Sequence, residues 1–285
     1  MKSILLPLTY CVDAESLSRV AADLTKRFHA SLHGLFIRPD PRMAIPFMGE
    51  GLTADMIQQL CDSAEKEGLA NAEKAEKDFL ALMQASNIKI IKKGEHSDHA
   101  RARWSTVTGQ ITDHVGRRAR TADLAICAQP SSDMPDSDDI FHDLIFRSGR
   151  SVLMVPAGYD REVGRHVMIA WNGRAEGARA VAGAMPMLIG AEKVTVVQIG
   201  DKDDARPGLE DVIDYLGEYG IEARARQENV EDNSIGNQLL SLASDMSADT
   251  VVLGAYSHSR WRELVLGGVT RHIVAKSKLP IFMSH

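Results

Sequence analysis

The stretch Val251-Val252-Leu253-Gly254-Ala255-Tyr256-Ser257, followed after nine residues by Gly267-Gly268-Val269-Thr270, decides the fold. A β-branched apolar run leads into a glycine, and a second glycine pair stands before a helix start at Val269. In a parallel α/β sheet, such an order leaves backbone N–H groups unpaired where a strand ends and a helix begins. The helix dipole is positive there, so the spot suits an anion. A glycine-capped loop with no ligand accounts for the same residues equally well.

Working outward, the chain repeats itself. Ile4-Leu5-Leu6-Pro7-Leu8 lies over Val167-Met168-Ile169-Ala170-Trp171, each followed by an Ala-rich amphipathic helix, 14–28 and 175–188. Ser31–Ile37 then matches Val194–Ile199, and Ile88–Ile91 matches Ile221–Arg224. Helices over 110–120 and 234–246 run into Ala122-Asp123 and Ala248-Asp249 before the fourth strands. Ser151–Pro156 and Pro280–Met283 are the fifth. Near-continuous apolar strands alternating with helices predict a parallel sheet covered on both faces.

The offset between copies is 163 at the first strand and 126 at the fourth, so the first half carries about 37 extra residues. They fall around 39–86 and hold Pro39, Pro41 and Pro46 with Met43, Phe47 and Met48, then a charged helix from about Leu52 to Gln84. The Met/Phe segment reads as a loop packed on its own half, or as a lid. The expected domains are 1–158 and 159–285.

Composition excludes several classes. At 285 residues, 44% hydrophobic and 25% charged, the chain fits two globular domains. A net charge of −6 gives no support to nucleic-acid binding. The basic run Arg101, Arg103, Arg117, Arg118 and Arg120 reads as a solvated helix surface. No apolar run approaches the roughly 20 residues of a membrane span. Met1–Pro7 reads as a strand stopped by proline, without a signal-peptide cleavage site. Cys11, Cys61 and Cys127 have neither metal spacing nor an even count, so a reducing cytoplasm is expected. His96 and His99 have metal-compatible spacing but sit in a polar loop. Nucleophile-elbow, phosphate-loop and Cys-x2-Cys motifs are absent, and the chain is not expected to be an enzyme beyond weak ATP hydrolysis.

The glycine loop resembles the Gly-x2-Gly-x9-Gly-Ser/Thr nucleotide loop of universal stress proteins. Ser257 replaces its second glycine and Gly268 its Ser/Thr. With Ser259–Arg271 and the doubled strand order, the resemblance spans nearly the whole chain, as a tandem member with two fused domains. It implies two doubly wound α/β domains of five parallel strands, ordered 3-2-1-4-5, packed as a pseudo-dimer. Fifth strands would then meet, Ser151–Val155 against Pro280–Met283. It also implies an adenine nucleotide, ATP with or without Mg²⁺, in the C-terminal half. The residues it points to are Ala170, Asn172, Ile199, Leu253, Gly254, Ser257, Gly267, Gly268, Val269 and Thr270. Asn172 stands where nucleotide-binding members usually have Asp, but Asn is equally a helix cap. His258, Arg260 and Arg271 read as surface charges.

The first half departs from the pattern. Cys127-Ala128-Gln129-Pro130-Ser131-Ser132-Asp133 lacks the glycine, Thr9 holds the Asp position, and Phe146–Arg150 keeps only a remnant of the loop's end. Asp133, Asp136, Asp138, Asp139 and Asp143 would repel phosphate. Nucleotide binding is therefore expected in one half only, with a regulatory role in stress. A nucleotide-free interaction module and a slow ATPase are the alternatives, and a homodimer of whole chains is a further expectation.

Overall fold

The computed structural model describes residues 1–10, 12–43, 53–200, 205–230, 234–255 and 268–285. The first half runs β1 (Ser3–Leu8), α1 (Ala14–Phe28), β2 (Ser31–Arg38), α2 (Ala54–Ala85), β3 (Lys89–Ile90), β4 (Arg101–Thr108), α3 (Ile111–Ala119), β5 (Leu124–Ala128), α4 (Pro135–Arg147) and β6 (Ser151–Val155). The second runs β7 (His166–Ala170), α5 (Ala175–Ile189), β8 (Lys193–Ile199), α6 (Leu209–Gly217), β9 (Ala223–Glu228), α7 (Ile235–Asp245), β10 (Thr250–Gly254), α8 (Gly268–Lys276) and β11 (Ile281–Ser284).

All eleven strands form one sheet in the order β3-β4-β2-β1-β5-β6-β11-β10-β7-β8-β9. Each half has the doubly wound order, and every pairing is parallel except β6 with β11. At that seam Met154 faces Ile281, Leu153 faces Phe282 and Val152 faces Met283, all fully buried. The fifth strands thus meet as the resemblance implies, and each covers an apolar edge that would otherwise be open to aggregation. Two apolar cores, one on each face, run through the seam and draw residues from both halves.

Local choices explain the elements. Asp13 caps α1 by accepting from Ser16 N at 3.2 Å, and its other oxygen takes Gly158 N at 3.0 Å. Pro7 does not stop β1: the ladder with β2 continues to Leu8, whereas that with β5 ends at Leu5. The missing amide therefore lies on the β5 side. The repeated Ala-Asp also acquires a reason. Asp249 accepts from the amides of Gly164, Arg165 and His166 at 2.7, 2.9 and 2.7 Å, holding the start of β7. Asp123 does the same for Lys2 and Ser3 before β1. Arg27, at the end of α1, donates to the carbonyls of Val163, Gly164, Met187 and Gly190, tying the first half to the second.

Three expectations need correction. The third strand of the first half is β4, not Ile88–Ile91, of which only Lys89–Ile90 pairs, at the sheet's edge. Arg101 and Arg103 thus belong to a strand rather than a helix surface. Alternation places Trp104 over Gly34, where a Cβ would sit 2.6 Å from its ring, with Phe79 of α2 beside it. In the second half the third strand begins at Ala223, two residues later than read. The counterpart of Gly254 is Ala128, since Leu124 and Thr250 both open the fourth strands; Cys127 is a fully buried core residue whose thiol is pushed up by burial.

The basic run surrounds a histidine that the sequence did not single out. His33 on β2 is 7% exposed, faces Arg103 across the ladder and bonds Ser105 Oγ through Nε2 at 2.7 Å. Burial, then Arg103, Arg118 and Lys93, push its pKa down to about 4. The unfolded chain, with an ordinary value near 6.5, therefore binds more protons between these pH values. His33's contribution is complete above about pH 6.5 and is lost as pH falls towards 4, about 3 kcal/mol in all. Urea unfolding from pH 7.5 to 4.5 should show this decline, and His33→Gln should flatten it. An unchanged profile in the variant would contradict the assignment.

Candidate functional site

In a doubly wound sheet, ligands gather beyond the carboxyl ends of the strands where the winding reverses. In the second half that point lies between β7 and β10, with β8 next to β7. Leu253 is registered with Ala170, and Ala170 with Val197 two residues before Ile199. Ala170, Ile199, Leu253 and Gly254 therefore share one end of three neighbouring strands. Leu253 is buried, while Ala170, Ile199 and Gly254 are partly exposed. Gly268 and Val269 open α8 and are exposed; Thr270 is buried. Ser257 and Gly267, with Tyr256, His258 and Arg260, lie outside the described residues.

Several of these residues also have structural work. Asn172 Oδ1 accepts from Arg174 N at 3.1 Å, within the turn that leads to α5. Gly173 has φ of 65°, and a Cβ there would lie 2.8 Å from Pro207 O. Trp171 Nε1 donates to that same carbonyl at 3.0 Å, pinning the turn to the segment before α6. At Gly254 a Cβ would sit 2.5 Å from Gly177 N and 2.9 Å from Glu176 Cβ. The glycine is needed because the first turn of α5 lies directly against the end of β10. Phosphate access is a separate matter.

The electrostatics favour an anion at α8. Its first turn contains no acid, Arg271 is exposed, and among the described residues nothing stands within 4 Å of where a Gly268 side chain would go. Backbone donors of an α-helix's first turn have no partner within the helix. Against Gly254, Glu176 Oε2 is buried without a hydrogen-bond partner among the described residues. That carboxylate is an acceptor suited to a hydroxyl or a cation and unsuited to phosphate. The residues present thus fit a nucleotide whose phosphates approach α8, with a donor such as a ribose hydroxyl towards Glu176.

The first half carries a different site at the equivalent point. A cavity of about 330 Å³ is lined by Thr9, Ile37, Met43 and the start of α3, with Asp40, Asp136 and Asp139 around it. Asp40 is held by Arg42 at 2.9 Å, which keeps its carboxyl below the usual range. Met43, from the Met/Phe segment read as a loop on its own half or a lid, lines this cavity of the first half; Pro46, Phe47 and Met48 lie outside the described residues. The connection from β5 to α4 is only residues 129–134, closed on itself where Ser131 N bonds Ser137 Oγ at 3.0 Å. From β10 to α8 it covers residues 255–267. Asp143, read as a phosphate-repelling residue, is instead buried between helices and accepts from Gly116 N at 2.5 Å. Burial raises its pKa against the pull of that amide and of Arg147.

Among the described residues, no group of three or more His, Cys, Asp or Glu could hold a metal, and His96 and His99 are exposed. No described helix is long and apolar enough to cross a membrane. Of the cysteines, Cys61 and Cys127 are free and buried; Cys11 lies outside the described residues.

No protein-family model and no curated protein matches the chain. Solved structures do match it. A universal stress protein from Archaeoglobus fulgidus DSM 4304 superposes with a TM-score of 0.71 at 14% identity, covering 99% of this chain and 97% of that one. A provisionally named universal stress protein from Pseudomonas aeruginosa UCBPP-PA14 gives 0.53 at 13% identity, over 100% and 93%. A functionally unknown protein from Pseudomonas aeruginosa PAO1 gives 0.52 at 12%, over 98% and 92%. Superposition over almost the full length of both partners covers both halves and the seam between them. The chain has the tandem universal stress protein fold.

Proposed function

We propose that the second half binds one adenine nucleotide, ATP with or without Mg²⁺, and that the first half binds none. The contrast between two equivalent helix starts carries this reading. Gly268-Val269-Thr270-Arg271 has no acid, whereas α4 opens with Pro135-Asp136-Ser137-Asp138-Asp139. Acids at a helix start already occupy the positive end of its dipole and repel a second anion. The base would lie near Ala170, Ile199 and Leu253, with the phosphates at Gly268, Val269 and Thr270. Gly254, Ser257 and Gly267 complete the set. Asn172 would contact the nucleoside through its amide. Bound nucleotide would set conformation or partner choice during stress, in a cytoplasmic protein of two domains, 1–158 and 159–285, that further pairs as a homodimer.

Equilibrium dialysis of the full chain with labelled ATP should saturate at one nucleotide per chain. Two per chain would place a site in the first half. No saturation below about 1 mM, equivalent to only about −4 kcal/mol, would favour the second reading, an interaction module without nucleotide. That reading draws on Gly254 and Asn172, both of which have structural roles that require no ligand. A slow ATPase would instead release phosphate at a rate proportional to protein.

A further inference from the structure

A second cavity, of about 450 Å³, lies where the two halves meet, at the start of β6 and the end of β11. Its lining brings together Arg150 from the first half and Arg179 from α5 of the second. Each guanidinium is anchored through Nε alone: Arg150 to Arg120 O at 3.0 Å, Arg179 to His285 O at 3.0 Å. Their Nη atoms make no hydrogen bond among the described residues; Glu176 Oε1 stands 3.9 Å from Arg179 Nη2. The floor is a buried hydroxyl pair, Ser151 Oγ and Ser284 Oγ, 2.9 Å apart across the seam. Gly183 lets α5 approach so closely that a Cβ there would fall 2.1 Å from Ser151 Oγ, which aims Arg179, one turn earlier, at the same space.

Acceptors are present as well. Pro186 sits inside α5 and has no amide, so the carbonyl of Ala182, which lines the cavity, receives no helical hydrogen bond from it. Asp123 also lines the cavity, but its Oδ2 is committed to the amides of Lys2 and Ser3 at 2.6 and 3.1 Å. Two guanidiniums in forked geometry suit a carboxylate or phosphate, and a carbonyl that lacks its i+4 amide suits a hydroxyl or amine on the same molecule. We propose that this seam cavity binds a small hydroxylated organic anion, carboxylate or phosphate ester, bridging Arg150 of one half and Arg179 of the other. Because the cavity is built from both halves, its ligand would stabilise their junction.

The test is thermal unfolding of the full chain titrated with malate and with inorganic phosphate at fixed ionic strength, chloride serving as the reference. A saturable rise in Tm above chloride is expected. Malate saturating at the lower concentration makes the ligand a hydroxycarboxylate; phosphate doing so makes it a phosphate ester. Arg150→Gln/Arg179→Gln should raise the apparent Kd by about tenfold or more, the loss expected for charge-assisted hydrogen bonds. Arg150→Lys/Arg179→Lys should fall between, and Arg224→Gln on the far edge strand should leave binding unchanged. A response no larger than chloride's would overturn the proposal. So would binding that survives the Gln pair, or binding that disappears instead with Gly268→Asp, which would move the anion to α8.

Discussion

Asp249→Ala should lower the unfolding free energy by about 2–3 kcal/mol, because the amides of Arg165 and His166 lose their acceptor together and Gly164 N keeps only Thr250 Oγ1, at 2.8 Å. Gly164, Arg165 and His166 all donate to this carboxylate, and Thr250 Oγ1 adds a further bond at 2.8 Å. These amides open the first strand of the second half, so their loss frees the central strand of that half from its anchor. Asp249→Asn keeps one acceptor oxygen and should cost roughly half as much. Asp123→Ala, at the matching place, should cost about 1 kcal/mol, because only two amides are involved and the side chain is exposed. Urea unfolding of the three variants checks the order. Equal losses at 123 and 249 would contradict the geometry.

Gly254→Val should destabilise by about 3 kcal/mol, since its side chain would enter the backbone of α5's first turn. Nucleotide binding would fall with it, but by displacing α5 against β10 as much as by blocking phosphate. Ala128→Val, at the equivalent position, should leave nucleotide binding unaltered. If Gly254→Val unfolds at the parent's urea concentration, α5 does not lie where the structure has it.

How much of this was legible in the sequence depends on how each element earns its stability. Helix α1 was readable to the residue, because Asp13 caps it and its apolar face is regular. The seam came from the resemblance, and residues 152–155 and 281–283 agree with it, being apolar on both faces with no solvent-facing side. Strand β4 was missed because it hides its inward face between charges: Arg101, Arg103 and Ser105 alternate with Ala102, Trp104 and Thr106. Helix α4, with three aspartates in its first five residues, shows no apolar period where it starts. Its inward residues Ile140, Phe141, Leu144 and Ile145 are nevertheless buried. The strand ends Ala170, Ile199, Leu253 and Gly254 were legible as one set. What the sequence could not disclose was that Gly254 answers to a neighbouring helix, and that Ala-Asp is a clamp on strand starts. Both are contacts between residues far apart in the chain.

Gly268→Asp tests the central claim most directly, because it separates folding from binding. The position is exposed, has no described residue within 4 Å of where its side chain would go, and begins a helix with no acid in its first turn. An aspartate there should stabilise the fold by about 0.3–1 kcal/mol through the helix dipole while opposing phosphate at the same amides. Labelled ATP dialysed against both proteins, with urea unfolding in parallel, should give one nucleotide per parent chain. The variant should bind at least about tenfold more weakly and yet be as stable or more so. Undiminished binding by a well-folded Gly268→Asp protein would contradict the placement of the nucleotide at α8.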